Sequence, residues 1–286
     1  MKIKDILQQR DHGVSFEFFP PKTEKGMENL LDAAVNLKQF DPMYFSVTYG
    51  AGGTSQERTK ETVDLLRGRT GVEVMPHLTC VGASKHALTV QLDTYFREGC
   101  DNILALRGDL PESMDDRHLS DDFTFAKDLV VFLRRKYDLS VGVALCPEGH
   151  MASKTLIEDV GHMAEKIKAG ADFVITQMFF DNSYLYDYVE KLRCLDIELP
   201  VIPGIIPVTD LDKIQKFAEL SGATIPDHIL VSLNAVADDP QKVRMLGINY
   251  AIEQCQDLID NGFRFLHFFA LNRAEDASDI IKELTF

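Results

Sequence analysis

Residues 14–19 have the sequence VSFEFF and residues 44–49 have the sequence YFSVTY, two short runs rich in aromatic and β-branched residues. Comparable runs begin at Val72 and Asn102, so the first four begin about 30 residues apart, which is the length of one strand followed by one helix. Four further runs of this kind begin at Ser140, Phe173, Pro200 and Phe263. Eight apolar runs separated by helical segments predict parallel strands that are covered on both faces.

Segments with helical periodicity fill the intervals between these runs. The pattern predicts helices over Thr23–Leu37, Ser84–Arg97, Asp121–Lys136 and Ser153–Ala169. The last of these begins with a possible serine cap and stops before Gly170. About 60 residues separate the seventh and eighth strands, and this interval predicts an extra helix, Asp239–Ile259, besides one that starts near Thr209. Eight units favour a closed (β/α)8 TIM barrel, with residues 1–286 as a single domain.

The composition excludes several classes of protein. The chain has 30 Lys and Arg against 45 Asp and Glu, a net charge of −15, with 45% hydrophobic and 26% charged residues. These values are typical of a globular protein, and the acidic balance argues against binding to nucleic acid or to a membrane surface. Five widely spaced cysteines without a Cys-x-x-Cys motif indicate reduced thiols. With no apolar leader and no run of about 18 apolar residues, we expect a cytoplasmic protein.

Polar residues follow the predicted strands at the end where barrels of this kind carry their active sites. They are Glu17, Thr48, Tyr49, His77, Thr79, Arg107, Asp109, Glu148, His150, Gln177, Asn272 and Arg273. A polar side chain that faces into a barrel from an apolar strand needs a partner or a ligand. So many at one rim predict a large polar ligand.

Glu17 is the sharpest local feature, because it stands between aromatic residues on the first strand. Enclosure of a carboxyl group raises its pKa, and a carboxyl group with a raised pKa can act as a general acid near neutral pH. The alternative is a glutamate that faces outward on the other side of the strand. The local pattern leaves both interpretations open.

Three other patterns are weaker. Gly108 permits a close approach of the backbone, and Arg107 and Asp109 beside it offer opposite charges, but the local pattern favours a structural ion pair at a turn. The loop TYGAGGT at residues 48–54 could present N–H groups to a phosphate, but it lacks the G-x-G-x-x-G spacing and a P-loop lysine, so a plain turn is favoured. The histidines near strand ends have no firm ligand spacing, and we predict no metal.

Taken together and in order, the strand-end segments resemble the bacterial methylenetetrahydrofolate reductase family. The matching segments are FEFFPP (16–21), SVTYGA (46–51), PHLTC (76–80), ALRGDLP (105–111), ITQMFFD (175–181), IPGIIP (202–207) and LNRAE (271–275). The resemblance implies a single catalytic (β/α)8 barrel that binds FAD. It also implies reduction of 5,10-methylenetetrahydrofolate to 5-methyltetrahydrofolate with NADH or NADPH by ping-pong kinetics, to supply methyl groups for methionine synthesis. Relatives are commonly homo-oligomers, so we expect one here.

The resemblance also implies roles for individual residues. Glu17 matches the family's general acid, and Asp109 matches a carboxylate near both flavin and folate. The FAD-binding positions carried over are Thr48, Tyr49, Ala51, His77, Arg107, Gly108, Asp109, Ala126, His150, Asp159 and Lys166. The folate-side positions are Gln177, Lys213, Phe217 and Arg273.

Three positions depart from the family pattern. Cys146 replaces an aromatic residue, Glu165 replaces a basic residue beside Lys166, and Lys213 replaces a glutamine that contacts folate. Lys213 is a candidate partner for the glutamate tail of the substrate, because a cation would suit a carboxylate there. The alternatives are a flavin barrel that oxidises an amino acid, as in proline dehydrogenase, a pterin-binding methyltransferase without flavin, and a folate-binding protein without activity.

Overall fold

The structure is a computed structural model that describes residues 1–49, 56–108 and 122–286. The described strands are β1 (Gly13–Phe18), β2 (Phe45–Val47), β3 (Val74–Thr79), β4 (Asn102–Leu106), β5 (Ser140–Leu145), β6 (Phe173–Thr176), β7 (Val201–Ile202), β8 (Gly204–Ile205) and β9 (Phe265–Phe269). They form one parallel sheet in the order β7-β6-β5-β4-β3-β2-β1-β9-β8.

Strands β7 and β8 are the two halves of the predicted seventh strand. Pro203 separates them, and a proline has no N–H to donate to a neighbouring strand. Its carbonyl still accepts a hydrogen bond from the His267 N–H at 2.8 Å. Because β7 pairs with β6 and β8 pairs with β9, the interrupted strand joins the two ends of the sheet. The predicted TIM barrel is therefore confirmed, with one strand in two pieces.

The helices alternate with the strands as predicted. They are α1 (Ile3–Gln9), α2 (Glu24–Leu37), α3 (Gln56–Thr70), α4 (Lys85–Arg97), α5 (Ala126–Lys136), α6 (Leu156–Lys168), α7 (Asn182–Arg193), α8 (Leu211–Ser221), α9 (Asp227–Asn234), α10 (Pro240–Asp260) and α11 (Glu275–Ile281), and Lys38–Phe40 form a 3-10 turn. The predicted extra helix is α10, capped by the Asp239 carboxylate.

Two helix starts differ from the prediction. Thr155, not Ser153, caps α6 by accepting a hydrogen bond from the Glu158 N–H, while the Ser153 hydroxyl donates to the Asp159 carboxylate. Serine and threonine can both cap a helix. Here the Thr155 hydroxyl lies three residues before Glu158 and accepts the hydrogen bond of a first-turn N–H that has no partner within the helix. Helix α5 begins at Ala126, and the predicted start at Asp121 lies outside the described residues.

Helix α1 closes the amino end of the barrel. Its Ile3, Ile6 and Leu7 side chains pack against a layer of large residues inside the barrel: Met43, Tyr44, Met75, Leu104, Phe173, Ile175 and Ile202. The Asn102 amide anchors the start of the helix by accepting a hydrogen bond from the Ile3 N–H at 2.7 Å. With that end filled, the carboxyl end of the barrel, which we call the mouth, is where side chains can meet a ligand.

Helices α8, α9 and α10 form an additional layer beside the last strands. Their apolar residues make a separate cluster that includes Phe180, Ile206, Val208, Ile214, Ile229 and Val243. Gly247 allows α10 to approach the chain after β8, since a Cβ atom there would lie 1.6 Å from the Val208 carbonyl oxygen. Within the three described ranges, no helix combines the length and apolar character needed to cross a membrane.

Candidate active site

Glu17 faces into the barrel and meets side chains from two neighbouring strands and from β3. Its Oε2 atom lies 3.2 Å from His77 Nε2 and 3.4 Å from His267 Nε2. The Ser46 hydroxyl donates to the same oxygen at 3.3 Å, and Ser15 Oγ lies 2.8 Å from His267 Nδ1. The outward-facing alternative for Glu17 is therefore excluded, and these five side chains form the Glu17 cluster.

The charge state of Glu17 differs from the prediction. Burial raises its pKa, but the positive charge of His77 and the hydrogen bonds from His267 and His77 lower it by more, so the pKa lies well below its ordinary value. The prediction of a raised pKa is therefore wrong for this arrangement. The cluster therefore favours the anionic form of Glu17.

Exposure decides which member of the cluster a ligand can reach. The Glu17 side chain is 15% exposed, against 8% for His77 and 0% for His267. Glu17 is thus the outermost acid–base group of the three. Its carboxylate therefore lies between the two histidines and the open mouth.

The carboxyl end of β4 has the narrow geometry that the sequence indicated. Gly108 has a φ of +84°, and a Cβ atom there would lie 2.8 Å from the Thr79 side chain. The neighbouring Arg107 side chain is exposed at the mouth, while its carbonyl accepts a hydrogen bond from the Val81 N–H at 2.8 Å. Only glycine fits at position 108, so backbone lies close to the space in front of β4.

A second polar group surrounds the end of β5. Lys166 donates from Nζ to the Ala144 carbonyl at 2.9 Å. Burial lowers the pKa of its ammonium group, and the negative charge of Asp159 raises that pKa by less. Asp159 accepts hydrogen bonds from the Tyr188 hydroxyl at 2.7 Å and from Ser153. Burial also raises the pKa of the nearby Cys146 thiol to about 11, so Cys146 stands here as a neutral thiol.

Two further positions carried over for FAD lie around the same end. The ring of His150 accepts a hydrogen bond at Nδ1 from the Ala152 N–H at 3.1 Å, which leaves Nε2 as the ring's donor. Ala126 is the first residue of α5, where backbone N–H groups have no partner within the helix. Glu165, beside Lys166, is exposed and pairs with Lys127 at 2.7 Å.

The folate-side candidates lie on three different elements. Gln177 follows β6 and accepts a hydrogen bond from its neighbour's N–H, while Phe217 packs with the cluster of α8 to α10. Lys213 is exposed and pairs with Asp210 at 2.7 Å. Arg273 follows β9, is exposed, and lies 3.8 Å from Asp276. These side chains share the mouth side of the barrel without touching one another in the contacts that the structure describes.

The remaining predicted site residues either follow β2 or lie outside the described residues. Thr48 and Tyr49 follow β2, where the Thr48 N–H donates to the Phe18 carbonyl at 3.0 Å. Ala51 and the predicted catalytic Asp109 lie outside the described residues. Across residues 1–49, 56–108 and 122–286, no group of three or more His, Cys, Asp or Glu side chains is arranged to hold a metal ion.

Sequence reasoning missed the partners of Glu17. His267 was noticed only as a histidine near a strand end, and Ser15 and Ser46 were not noticed as site residues. A signal existed in the alternation of β9, because His267 shares a face with Phe265 and Phe269 and so faces the interior. The pairing of β9 with β1, 250 residues earlier in the chain, could not be read locally.

Comparison with known proteins gives consistent results. A sequence profile of the family described as Methylenetetrahydrofolate reductase matches residues 2–285. Methylenetetrahydrofolate reductase 1 of Schizosaccharomyces pombe is 38% identical over 291 residues, which is 99% of this chain and 48% of the yeast protein. The 5,10-methylenetetrahydrofolate reductase of Pectobacterium carotovorum is 35% identical over 262 residues, covering 92% of this chain and 86% of that protein.

A solved structure shares the fold. It is a Clostridium thermocellum protein described as binding two copies of 5-methyl-5,6,7,8-tetrahydrofolic acid, with a TM-score of 0.66 and 15% sequence identity over 98% of this chain and 96% of that one. At this identity the likeness extends to the barrel alone. The chain spans about half the length of the yeast relative and most of the length of the bacterial one.

Proposed function

Since the chain belongs to the methylenetetrahydrofolate reductase family, we propose that it reduces 5,10-methylenetetrahydrofolate to 5-methyltetrahydrofolate. The observation that carries the proposal is the Glu17 cluster, a buried acid–base group at the mouth of a barrel. The Clostridium structure, described as holding methyltetrahydrofolate, lends further support because it has the same fold. The product would serve as the methyl donor for methionine synthesis in the cytoplasm.

The residues at the mouth fit FAD as the cofactor. The half-buried Lys166 ammonium and the exposed Arg107 guanidinium suit a diphosphate. The His150 Nε2 donor and the start of α5 at Ala126 suit its remaining oxygens. When bound, the flavin would supply hydride transfer from NADH or NADPH to the folate.

The role of the Glu17 cluster follows from the chemistry of the substrate. Reduction of the methylene group requires the five-membered ring of the folate to open, which needs a proton on N10 and leaves a cationic iminium at N5. The Nε2 atoms of His77 and His267 lie 3.2 Å and 3.4 Å from Glu17 Oε2, and Glu17 is the member of the cluster that a ligand reaches. The cluster as a whole therefore acts as the general acid, with Glu17 as its contact to the substrate.

The other proposed roles concern binding. Asp109 would place an anion beside the iminium and stabilise its positive charge. Gln177 would hydrogen-bond the pterin, Phe217 would pack on a substrate ring, and Lys213 and Arg273 would meet the carboxylates or the pterin. Lys213 must first leave Asp210, which is an exposed and therefore weak pairing.

We expect the nicotinamide and the folate to share one binding site, and this determines the order of the kinetic steps. NAD(P)H and folate would occupy the same mouth in turn, so steady-state kinetics would be ping-pong. We propose that residues 1–286 act as a single catalytic domain and that the protein forms a homo-oligomer.

The test is product formation by the purified protein. The protein is incubated with FAD, NADH or NADPH, and methylenetetrahydrofolate under anaerobic conditions, and 5-methyltetrahydrofolate is measured by mass spectrometry. We expect stoichiometric product, and none when FAD is left out of a flavin-free preparation. Absence of product with a flavin-loaded protein and both nicotinamides would reject the proposal.

A further inference from the structure

The loop after β9 is joined to the chain after β1 by one side chain. The Asn272 amide oxygen accepts a hydrogen bond from the Phe19 N–H at 3.0 Å, and the amide nitrogen donates to the Phe19 carbonyl at 2.8 Å. The side-chain amide of Asn272 thus bonds both the N–H and the carbonyl of Phe19, which lies 253 positions away in the chain. We call this pair of hydrogen bonds the Asn272–Phe19 clamp.

The backbone at Asn272 is in an unfavourable conformation. Leu271 has a φ of +49° and Asn272 has a φ of +57°, so two consecutive residues that are not glycine lie in the left-handed region. This conformation costs free energy and persists only where surrounding contacts hold it. Besides the clamp, the Arg273 N–H donates to the Ala270 carbonyl at 2.9 Å. Such strain at the mouth of a barrel is typical of a site whose geometry is used for binding.

The clamp lies directly beyond the end of the strand that carries Glu17. The pairing of β1 with β9 ends at Glu17 and Phe269, and the Ala270 N–H then donates to the Glu17 carbonyl at 3.1 Å. Beyond that bond, the Asn272 side-chain amide makes the next contact between the segment that follows β1 and the loop that follows β9. It therefore fixes the separation of the chain after Glu17 from the loop after β9.

Two exposed side chains depend on this separation. Phe19 is 45% exposed although its backbone is held on both sides. Arg273 directly follows Asn272 and lies 3.8 Å from Asp276, which accepts a hydrogen bond from Arg244 Nε at 2.7 Å. The backbone positions that carry an exposed aromatic ring and an exposed guanidinium are therefore held at a fixed spacing beyond β1 and β9.

We propose that Asn272 is a positioning residue, which holds Phe19 and Arg273 as one wall of the folate-binding part of the mouth. A ring and a cation at fixed spacing suit a ligand that joins a flat ring system to carboxylates, as a folate does. This inference rests on the proposed function only for the identity of the ligand. The sequence placed Asn272 among the polar residues at the rim, and the clamp gives it this specific role toward Phe19.

Three variants separate the clamp from the backbone strain. Asn272→Gly removes both hydrogen bonds while relieving the left-handed backbone, so the fold is retained. Asn272→Asp keeps the acceptor for the Phe19 N–H and loses the donor to the Phe19 carbonyl. Asp196→Gly is the matched control, because Asp196 has a φ of +55° in the exposed loop between α7 and β7, at the other end of the barrel.

The experiment measures binding of 5-methyltetrahydrofolate to the oxidised, FAD-loaded protein by calorimetry, with FAD affinity measured in parallel. We expect the Kd for the folate to rise about tenfold in Asn272→Gly and about threefold in Asn272→Asp, with no change in Asp196→Gly. The Kd for FAD should stay unchanged in all three, which a general loosening of the barrel would not allow.

Three outcomes would overturn the inference: an unchanged folate Kd in Asn272→Gly, a parallel loss of FAD affinity, or no folate binding by the unmodified protein. Folate binding that weakens as expected in a protein without reductase activity would reject the proposed function and still support the role of Asn272. If Asn272→Gly failed to fold, Asn272→Asp would carry the same comparison.

Discussion

Glu17 is the residue on which the proposed reaction depends most directly. Replacing it with glutamine keeps the size of the side chain and removes its ability to pass a proton. We expect Glu17→Gln to slow folate reduction by about 10²- to 10⁴-fold, because general acid catalysis typically contributes that much. Reduction of the flavin by NADH should continue, since only the folate half of the reaction consumes the proton.

The measurement is stopped-flow absorbance of the two half-reactions. Glu28→Gln on α2 is the matched control, because Glu28 is exposed and pairs only weakly with Lys25. An equal fall in both half-reactions of Glu17→Gln would show that Glu17 has a structural role or a role in flavin binding.

The lowered pKa of Glu17 gives a prediction about stability. A carboxyl group whose pKa is lower in the folded state stabilises the fold above its unfolded pKa, about 4.3, and loses that contribution as the pH falls toward the folded value. At pH 7 we expect Glu17→Gln to be less stable than the unmodified protein by about 1.5–3 kcal/mol, the usual worth of hydrogen bonds to a charged group. Urea unfolding at pH 7 and pH 3 checks this, and a difference that does not shrink at pH 3 would contradict it.

At this scale the structure confirms the predicted inward orientation of Glu17, and the predicted charge state is wrong. The aromatic neighbours in FEFFPP predict enclosure, and enclosure alone raises a carboxyl pKa. The two histidines that reverse the sign come from β3 and β9, which only the closed barrel brings to Glu17. Asn272 was noted as one polar residue among many, because its partner Phe19 is equally distant in the chain.

Helix α10 depends on one residue for its contact with the barrel. In most helices, replacing an interior glycine with alanine stabilises the protein by about 0.5–1 kcal/mol. Gly247→Ala should instead destabilise it by about 2 kcal/mol or more, because the new Cβ would lie 1.6 Å from the Val208 carbonyl and force α10 outward.

Gly161→Ala in α6 is the matched comparison, since no atom lies within 4 Å of its added Cβ. We expect Gly161→Ala to raise the melting temperature and Gly247→Ala to lower it. Two changes of the same sign would contradict the close packing of α10.

The helices predicted with residue ranges all form, whereas α3 and α7 were not given ranges. Helix α10 and its Asp239 cap follow from the apolar pattern and from Pro240 at the first helical position. The short helices α1 and α9 were missed, because seven or eight residues carry too little periodicity. The break at Pro203 was not predicted, although proline cannot donate within a central strand.

At the scale of the whole molecule, the barrel was predictable because its strands are nearly continuous apolar runs. Such runs occur where both faces of a parallel strand are buried, and their regular spacing gives the count of units. What the sequence could not give is the closure of the sheet between β8 and β9, and the filling of its amino end by α1. Those two features explain why the polar residues converge on the opposite end.

The most direct test of this account is an anaerobic titration of the flavin-loaded protein followed by its absorbance. NADH or NADPH should bleach the flavin, and methylenetetrahydrofolate should then restore its absorbance, with one methyltetrahydrofolate formed for each flavin reoxidised. Bleaching without recovery on adding the folate, or a protein that cannot be loaded with FAD, would contradict the claim that this mouth passes a hydride to a one-carbon unit.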